Sequence, residues 1–159
     1  MSVAVVPAVR QTIEVDIPPE RAFELFTAEM SAWWPLETHH IGDKEAEAAV
    51  VEPRAGGRWF ERAADGTECD WGRVLEYEPP QRVVFAWQLN ADWQFDPDPA
   101  KASEVEVTFT PTGEGSTRVE LEHRRLDRMG ERAEEVRQAI SSEGGWTGLL
   151  RLFKEHAES

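Results

Sequence analysis

The chain has 159 residues, and its 17 Lys and Arg against 31 Asp and Glu give a formal charge of −14 at pH 7. That length suits one domain, residues 1–159, with a core of its own, and 40% hydrophobic and 30% charged residues with seven Trp exclude a disordered chain. The acidity opposes contact with phosphate backbones and anionic lipid, so neither a nucleic-acid nor a membrane partner is expected.

The opening MSVAVVPAVRQTIEV lacks a basic segment before its apolar run and is broken by Pro7, so it does not read as a signal peptide. From Val9 to Ile17 apolar and polar residues alternate, with Ile13, Val15 and Ile17 on one face, which predicts a half-buried strand. Pro18 and Pro19 end it. Ala22, Phe23, Leu25 and Phe26 then make a short helical stripe, and a second short helix runs from Met30 to Trp34 until Pro35 stops it. Six further strands are expected: Ala48 to Glu52, Arg58 to Arg62, Glu68 to Glu78, Arg82 to Leu89, Ser103 to Thr110 and Ser116 to His123. Turns at Ala64-Asp65-Gly66, Pro79-Pro80 and Gly113-Glu114-Gly115 suit antiparallel pairing. The stretch from Asn90 to Ala102 breaks the rhythm with Asp-Pro-Asp-Pro yet carries Trp93 and Phe95, so it reads as a lid folded over something apolar. From about Gly130 the period turns helical through Val136, Ala139, Ile140, Trp146, Leu149, Leu150 and Phe153, which predicts one long C-terminal helix.

This order predicts an α+β fold in which a curved seven-stranded antiparallel sheet grips the C-terminal helix. A single helix covers such a concave face only along its axis, and space remains beside it. The aromatic residues fall where that space would open, and an apolar pocket with a few polar groups is the usual form of a small-molecule site. The expected lining comprises Trp33 and Trp34, His39, Trp59, Trp71, Arg73, Phe85, Trp87, Trp93, Phe109, His123, Trp146 and Leu150. Arg73 enters through strand parity with Trp71, Leu75 and Tyr77, the other reading being a rim residue that snorkels to water, and His123 through parity with Val119 and Leu121, the other reading being a buried histidine satisfied by a neighbour. His39 and His40 stand at the mouth, where either could supply a proton near neutral pH or serve as a polar loop residue. Asp96 and Asp98 make a solvated turn rather than a cation site.

Glu52-Pro53-Arg54-Ala55-Gly56-Gly57-Arg58-Trp59, then Trp71-Gly72-Arg73-Val74 with Glu78-Pro79-Pro80-Gln81-Arg82-Val83-Val84-Phe85-Ala86-Trp87, then Gly144-Gly145-Trp146 with Leu149 and Leu150, together resemble the SRPBCC (START-like) superfamily. Within it they look like the branch named for the heat-shock-protein ATPase activator, over about residues 8 to 157. The resemblance implies a helix-grip (START-like) fold, an internal ligand cavity and frequent homodimers. It does not imply one reaction. The namesake co-chaperone activity uses an additional domain that this length does not hold. Gly144 and Gly145 fall inside the expected helix, where each costs about 1 kcal/mol relative to Ala, so either the helix breaks there or its backbone approaches something closely. The family's continuous helix favours close approach.

Cys69 is the one cysteine and sits beside Glu68 and Asp70, which disfavour a thiolate. It permits no internal disulfide and fits a cytoplasmic setting. No Gly-x-Ser-x-Gly elbow, phosphate loop or dinucleotide fingerprint occurs, and neither metal nor cofactor is expected. The reading that results is a binder of a small, largely apolar molecule, aromatic or polyketide-like. Its rivals are an enzyme using the same cavity for cyclisation, hydrolysis or dehydration with His123 or His39 as acid or base, and a chaperone-interacting module.

Overall fold

The computed structural model describes residues 6–159, so the first five residues of the opening segment read above lie outside the described residues. Seven strands form one antiparallel sheet in the order β1-β7-β6-β5-β4-β3-β2. They are β1 (Val9–Val15), β2 (Ala46–Val51), β3 (Arg58–Ala63), β4 (Glu68–Glu78), β5 (Arg82–Trp87), β6 (Ser103–Gly113) and β7 (Ser116–Arg124). Consecutive strands from β2 to β7 pair as hairpins, and β1 returns to close the far edge against β7. This is the helix-grip architecture expected.

One face of the sheet carries alternating apolar side chains such as Val105, Val107 and Phe109 on β6 and Val119, Leu121 and His123 on β7, all buried. The other face carries charge. Arg82 and Arg124 there reach across neighbouring strands to Glu76, Glu104 and Glu106, and Arg124 also along its own strand to Glu122. Helix α1 (Pro19–Phe26) starts at the proline pair and buries Ala22, Phe23, Leu25 and Phe26. Its Phe23 packs on Tyr77 and Phe109, and its Phe26 on Phe153, so α1 caps one end of the concave face. The second short helix is a 3₁₀ turn, Met30–Ala32.

The C-terminal helical run divides. A 3₁₀ segment, Leu126–Arg132, leads into α2 (Ala133–Ser141), and α3 (Trp146–Ala157) is the helix lying in the sheet's grip. Gly144 and Gly145 therefore stand in a junction rather than inside a helix, which corrects the close-approach reading of a continuous one. At the junction Ser142 is extended and Gly145 has φ −107°, ψ −142°, both outside the helical region. Close approach still accounts for Gly145, since a Cβ there would lie 2.2 Å from the carbonyl oxygen of Ile140.

Two irregularities in β4 decide which side chains reach the interior. The register against β3 shifts between Trp59 and Phe60, and that against β5 shifts between Val74 and Glu76. A bulge inserts one extra residue and exchanges the faces beyond it. Trp71 and Tyr77 both join the core, but Val74 rather than Arg73 or Leu75 lies buried between them.

Candidate functional site

Between the sheet, the loop after the first 3₁₀ turn and the α2–α3 junction lies a pocket of about 420 Å³, within the ~300–1,000 Å³ typical of small-molecule sites. Five tryptophans line it. Trp71 stands 5.1 Å from Trp34 between ring centroids, Trp34 6.1 Å from Trp146, Trp146 5.9 Å from Trp87, and Trp87 6.3 Å from Trp93, so the wall is continuous. Leu89, Ile140 and Leu149 add apolar surface, while Thr38, His39, His40, Ile41 and Ser142 bring the polar atoms. Among the described residues the lining holds no Lys, Arg, Asp or Glu.

The mouth is tied across by His39. Its Nε2 lies 2.6 Å from the carbonyl oxygen of Gly144, an acceptor only, so Nε2 carries a proton and donates. Its Nδ1 lies 2.7 Å from Thr38 Oγ1. The Trp34 indole N–H donates to the His39 carbonyl at 3.0 Å, which fixes the same loop from below. On the opposite rim Trp93 is 41% exposed and adopts φ 59°, an uncommon conformation for a bulky residue. The Asn90 side chain holds that turn by accepting from the N–H groups of Asp92 and Gln94. The segment Asn90 to Ala102 thus folds back, with Leu89 bridging Phe95. Asp96 and Asp98 spend a carboxylate oxygen each on the N–H of Asp98 and Ala100, as a solvated turn requires.

Glu61 was not singled out by the sequence, although its parity with Trp59 on the strand puts it on the inward face. It is 3% exposed. Its carboxylate accepts from the N–H of Ile41 at 2.6 Å, the N–H of Gly42 at 3.1 Å and the indole N–H of Trp71 at 2.8 Å. It therefore holds two parts of the pocket wall in place. Glu61→Leu should destabilise the protein by roughly 2–4 kcal/mol, since three donors lose their acceptor at ~1–3 kcal/mol each and relief of the buried charge offsets part. Urea denaturation checks the loss; an unchanged midpoint would contradict this role.

Of the residues expected in the lining, Trp34, His39, Trp71, Trp87, Trp93 and Trp146 are in it. Trp33, Trp59, Phe85, Phe109 and Leu150 lie behind it. Trp33 donates its indole N–H to the Leu25 carbonyl and packs on Phe153, and Trp59 stacks on Phe85 at 4.5 Å. On α3 the pocket takes Leu149 and the core takes Leu150, because the helix phase is set by its start at Trp146. Arg73 is corrected by the β4 bulges: its side chain is 42% exposed, with Nη1 3.7 Å from Asp70. His123 is corrected from wall group to the other reading, a buried histidine satisfied by its neighbours. It is fully buried behind the wall, between the Trp146 N–H, which donates to Nδ1 at 3.0 Å, and Ser103 Oγ, 2.7 Å from Nε2. A tryptophan N–H can only donate, so Nδ1 is the acceptor and Nε2 carries the proton. Burial pushes the imidazole down to about 3, and it is a neutral structural group at neutral pH.

Burial and nearby carboxylates push the Cys69 thiol up, so no reactive thiolate sits near the pocket. No group of three or more His, Cys, Asp or Glu gathers as a metal site among the described residues.

Residues 16–158 match the family described as activator of Hsp90 ATPase homolog 1-like protein. The chain belongs to that family. Among solved structures this family member is similar to the anthrahydroquino-γ-pyrone synthase Txn09, at 40% identity and TM-score 0.67, over 96% of this chain and 97% of that one. It is similar also to CalC, a self-sacrificing resistance protein from Micromonospora echinospora, at 33% identity and TM-score 0.69, over 94% and 92%. A third structure, the Aha1 dimer from Colwellia psychrerythraea, shares the fold at 15% identity and TM-score 0.59, over 96% and 97%. Comparison with curated proteins finds no match. No helix among the described residues is long and apolar enough to cross a membrane.

Proposed function

We propose that this family member binds a neutral, planar, polycyclic aromatic molecule of polyketide type in the tryptophan pocket. The observation that carries the reading is the continuous wall of five indoles around a space without charged side chains. Aromatic faces favour stacked or edge-on aromatic guests. The 40% identity to a synthase of an anthrahydroquino-γ-pyrone supports the same ligand class.

Titration with the anthraquinone emodin should quench the intrinsic fluorescence saturably at one molecule per chain. Trp87→Ala should remove part of the stacking surface and weaken binding about tenfold. Linear, unsaturable quenching would contradict the pocket. Catalysis of a ring closure in the same space is the second reading, favoured by that synthase likeness and by His39 at the mouth. Recovery of emodin-class polyketide precursors unchanged after incubation supports binding, and a His39-dependent product supports catalysis. The reading places the protein in the cytoplasm. Homodimerisation must overcome the charge of −14 on each chain. A monomer mass by light scattering would remove it.

A further inference from the structure

His39 and His40 stand side by side on the pocket wall, and their hydrogen bonds give them different chemistry. His39 is engaged at both ring nitrogens, by the Gly144 carbonyl and by the Thr38 hydroxyl. His40 is engaged at one. Its Nδ1 lies 3.0 Å from the carbonyl oxygen of Gly42, which can only accept, so Nδ1 carries the proton and the neutral ring holds its lone pair on Nε2. Among the described residues that Nε2 has no hydrogen-bond partner, and the buried side-chain atoms without partners are Trp87 Nε1 and Gln88 Oε1, so His40 Nε2 is an accessible acceptor. The Nδ1 edge turns into the loop, where Gly42 lies outside the lining, and leaves the Nε2 edge for the pocket. The loop itself is anchored. The Glu61 carboxylate on β3 accepts from the N–H groups of Ile41 and Gly42, so the carbonyl that sets this tautomer belongs to a fixed run of backbone.

The donors on this side of the pocket are spent within the protein. The indole N–H groups of Trp34, Trp71 and Trp146 go to the His39 carbonyl, to Glu61 and to His123. The Ser142 hydroxyl donates to the Ala139 carbonyl at 2.6 Å, and the Thr38 hydroxyl donates to His39 Nδ1. A guest that only stacks on the indoles would strip water from the His40 nitrogen and return no hydrogen bond, which costs affinity, whereas a guest with a hydroxyl at its edge replaces that water. We propose that His40 Nε2 accepts a hydrogen bond from a phenolic hydroxyl of the guest, so that the pocket selects polycyclic aromatics with a free phenol over their O-alkyl ethers. The proposal rests on the reading of the tryptophan pocket. A hydroxyl adjacent to a ring carbonyl already donates to that carbonyl, so the selecting hydroxyl is one remote from any carbonyl.

The test compares 2-hydroxyfluorene with 2-methoxyfluorene at pH 8, below the ordinary phenol pKa of about 10. Both are neutral, tricyclic and nearly planar, and only the first donates. Followed by the indole N–H resonances of isotope-labelled full-length protein, the phenol should bind up to about tenfold more tightly than its more apolar ether. It should also displace the His40 Nε2 resonance, which the ether leaves in place. His40→Phe should remove the preference, and His40→Gln, whose side-chain oxygen accepts, should restore part of it. Equal affinities in the native protein, or a preference that survives in His40→Phe, overturn the contact and leave the pocket standing. An Nε2 resonance that stays in place at saturation with the phenol also overturns it, without relying on any variant. Failure of both fluorenes to bind contradicts the contact, and failure of emodin as well contradicts the pocket.

Discussion

His123→Ala should cost roughly 3–5 kcal/mol of folding stability, a large share of the ~5–15 kcal/mol typical of a domain. The residue has no exposed surface, and both ring nitrogens are engaged. Alanine removes a filled volume and strands the Trp146 N–H and the Ser103 hydroxyl, each at about 1–3 kcal/mol. The same burial fixes a pH dependence. The unfolded chain binds a proton at His123 below about 6.5, whereas the folded chain does so only below about 3. In that window the unfolded state holds more protons, so stability rises with pH and falls on acidification by about 1.4 kcal/mol per unit. Glu29, Glu76, Glu106 and Glu158 are held below the usual carboxylate value, by Arg or Lys partners, and add their loss only at lower pH. Urea denaturation at pH 7.5, 6 and 5 should show the falling midpoint in the native sequence and a flatter dependence in His123→Ala. Parallel dependences would mean that His123 is solvated.

Gly145→Ala and Gly144→Ala should differ sharply although the residues are neighbours. A Cβ on Gly145 would meet the Ile140 carbonyl oxygen at 2.2 Å, its carbon at 2.4 Å and the Ala139 oxygen at 2.6 Å. These are backbone atoms of α2 and cannot swing aside, so the cost should reach or exceed the ~1–3 kcal/mol of ordinary overpacking. The displaced junction would also pull the Gly144 carbonyl from His39 and open the pocket mouth. A Cβ on Gly144 meets only Ser142 Oγ, at 3.8 Å. Gly144→Ala should therefore be neutral or stabilise by ~0.4–1 kcal/mol by restricting the unfolded chain. Thermal melting of the two variants decides it, and equal behaviour would contradict the junction geometry.

The order of elements was legible because strand alternation and turn chemistry are local. Val105, Val107 and Phe109 point inward as period two requires. Arg73 failed the same rule because a bulge leaves no mark in Trp71-Gly72-Arg73-Val74-Leu75; it is visible only once β4 is paired with β3 and β5. His123 did face inward, but parity cannot distinguish a cavity wall from the layer behind it. Leu149 was passed over for Leu150 because the helix phase depends on the break before Trp146, and Glu61 because its donors, Ile41, Gly42 and Trp71, are brought to it by tertiary packing. Thr38 and Ile41 lie on a loop without periodicity, so nothing local announces that they face the pocket.

The seven indole N–H resonances of isotope-labelled protein, followed during a titration with emodin, test the tryptophan pocket most directly. Trp34, Trp71, Trp87, Trp93 and Trp146 line it, whereas Trp33 and Trp59 lie behind, with their N–H groups on the Leu25 carbonyl and Met30 Sδ. The five should shift together and saturate at one equivalent, while Trp33 and Trp59 move far less. Shifts spread evenly over all seven, or confined to the exposed Trp93, would contradict a bound ligand in this pocket.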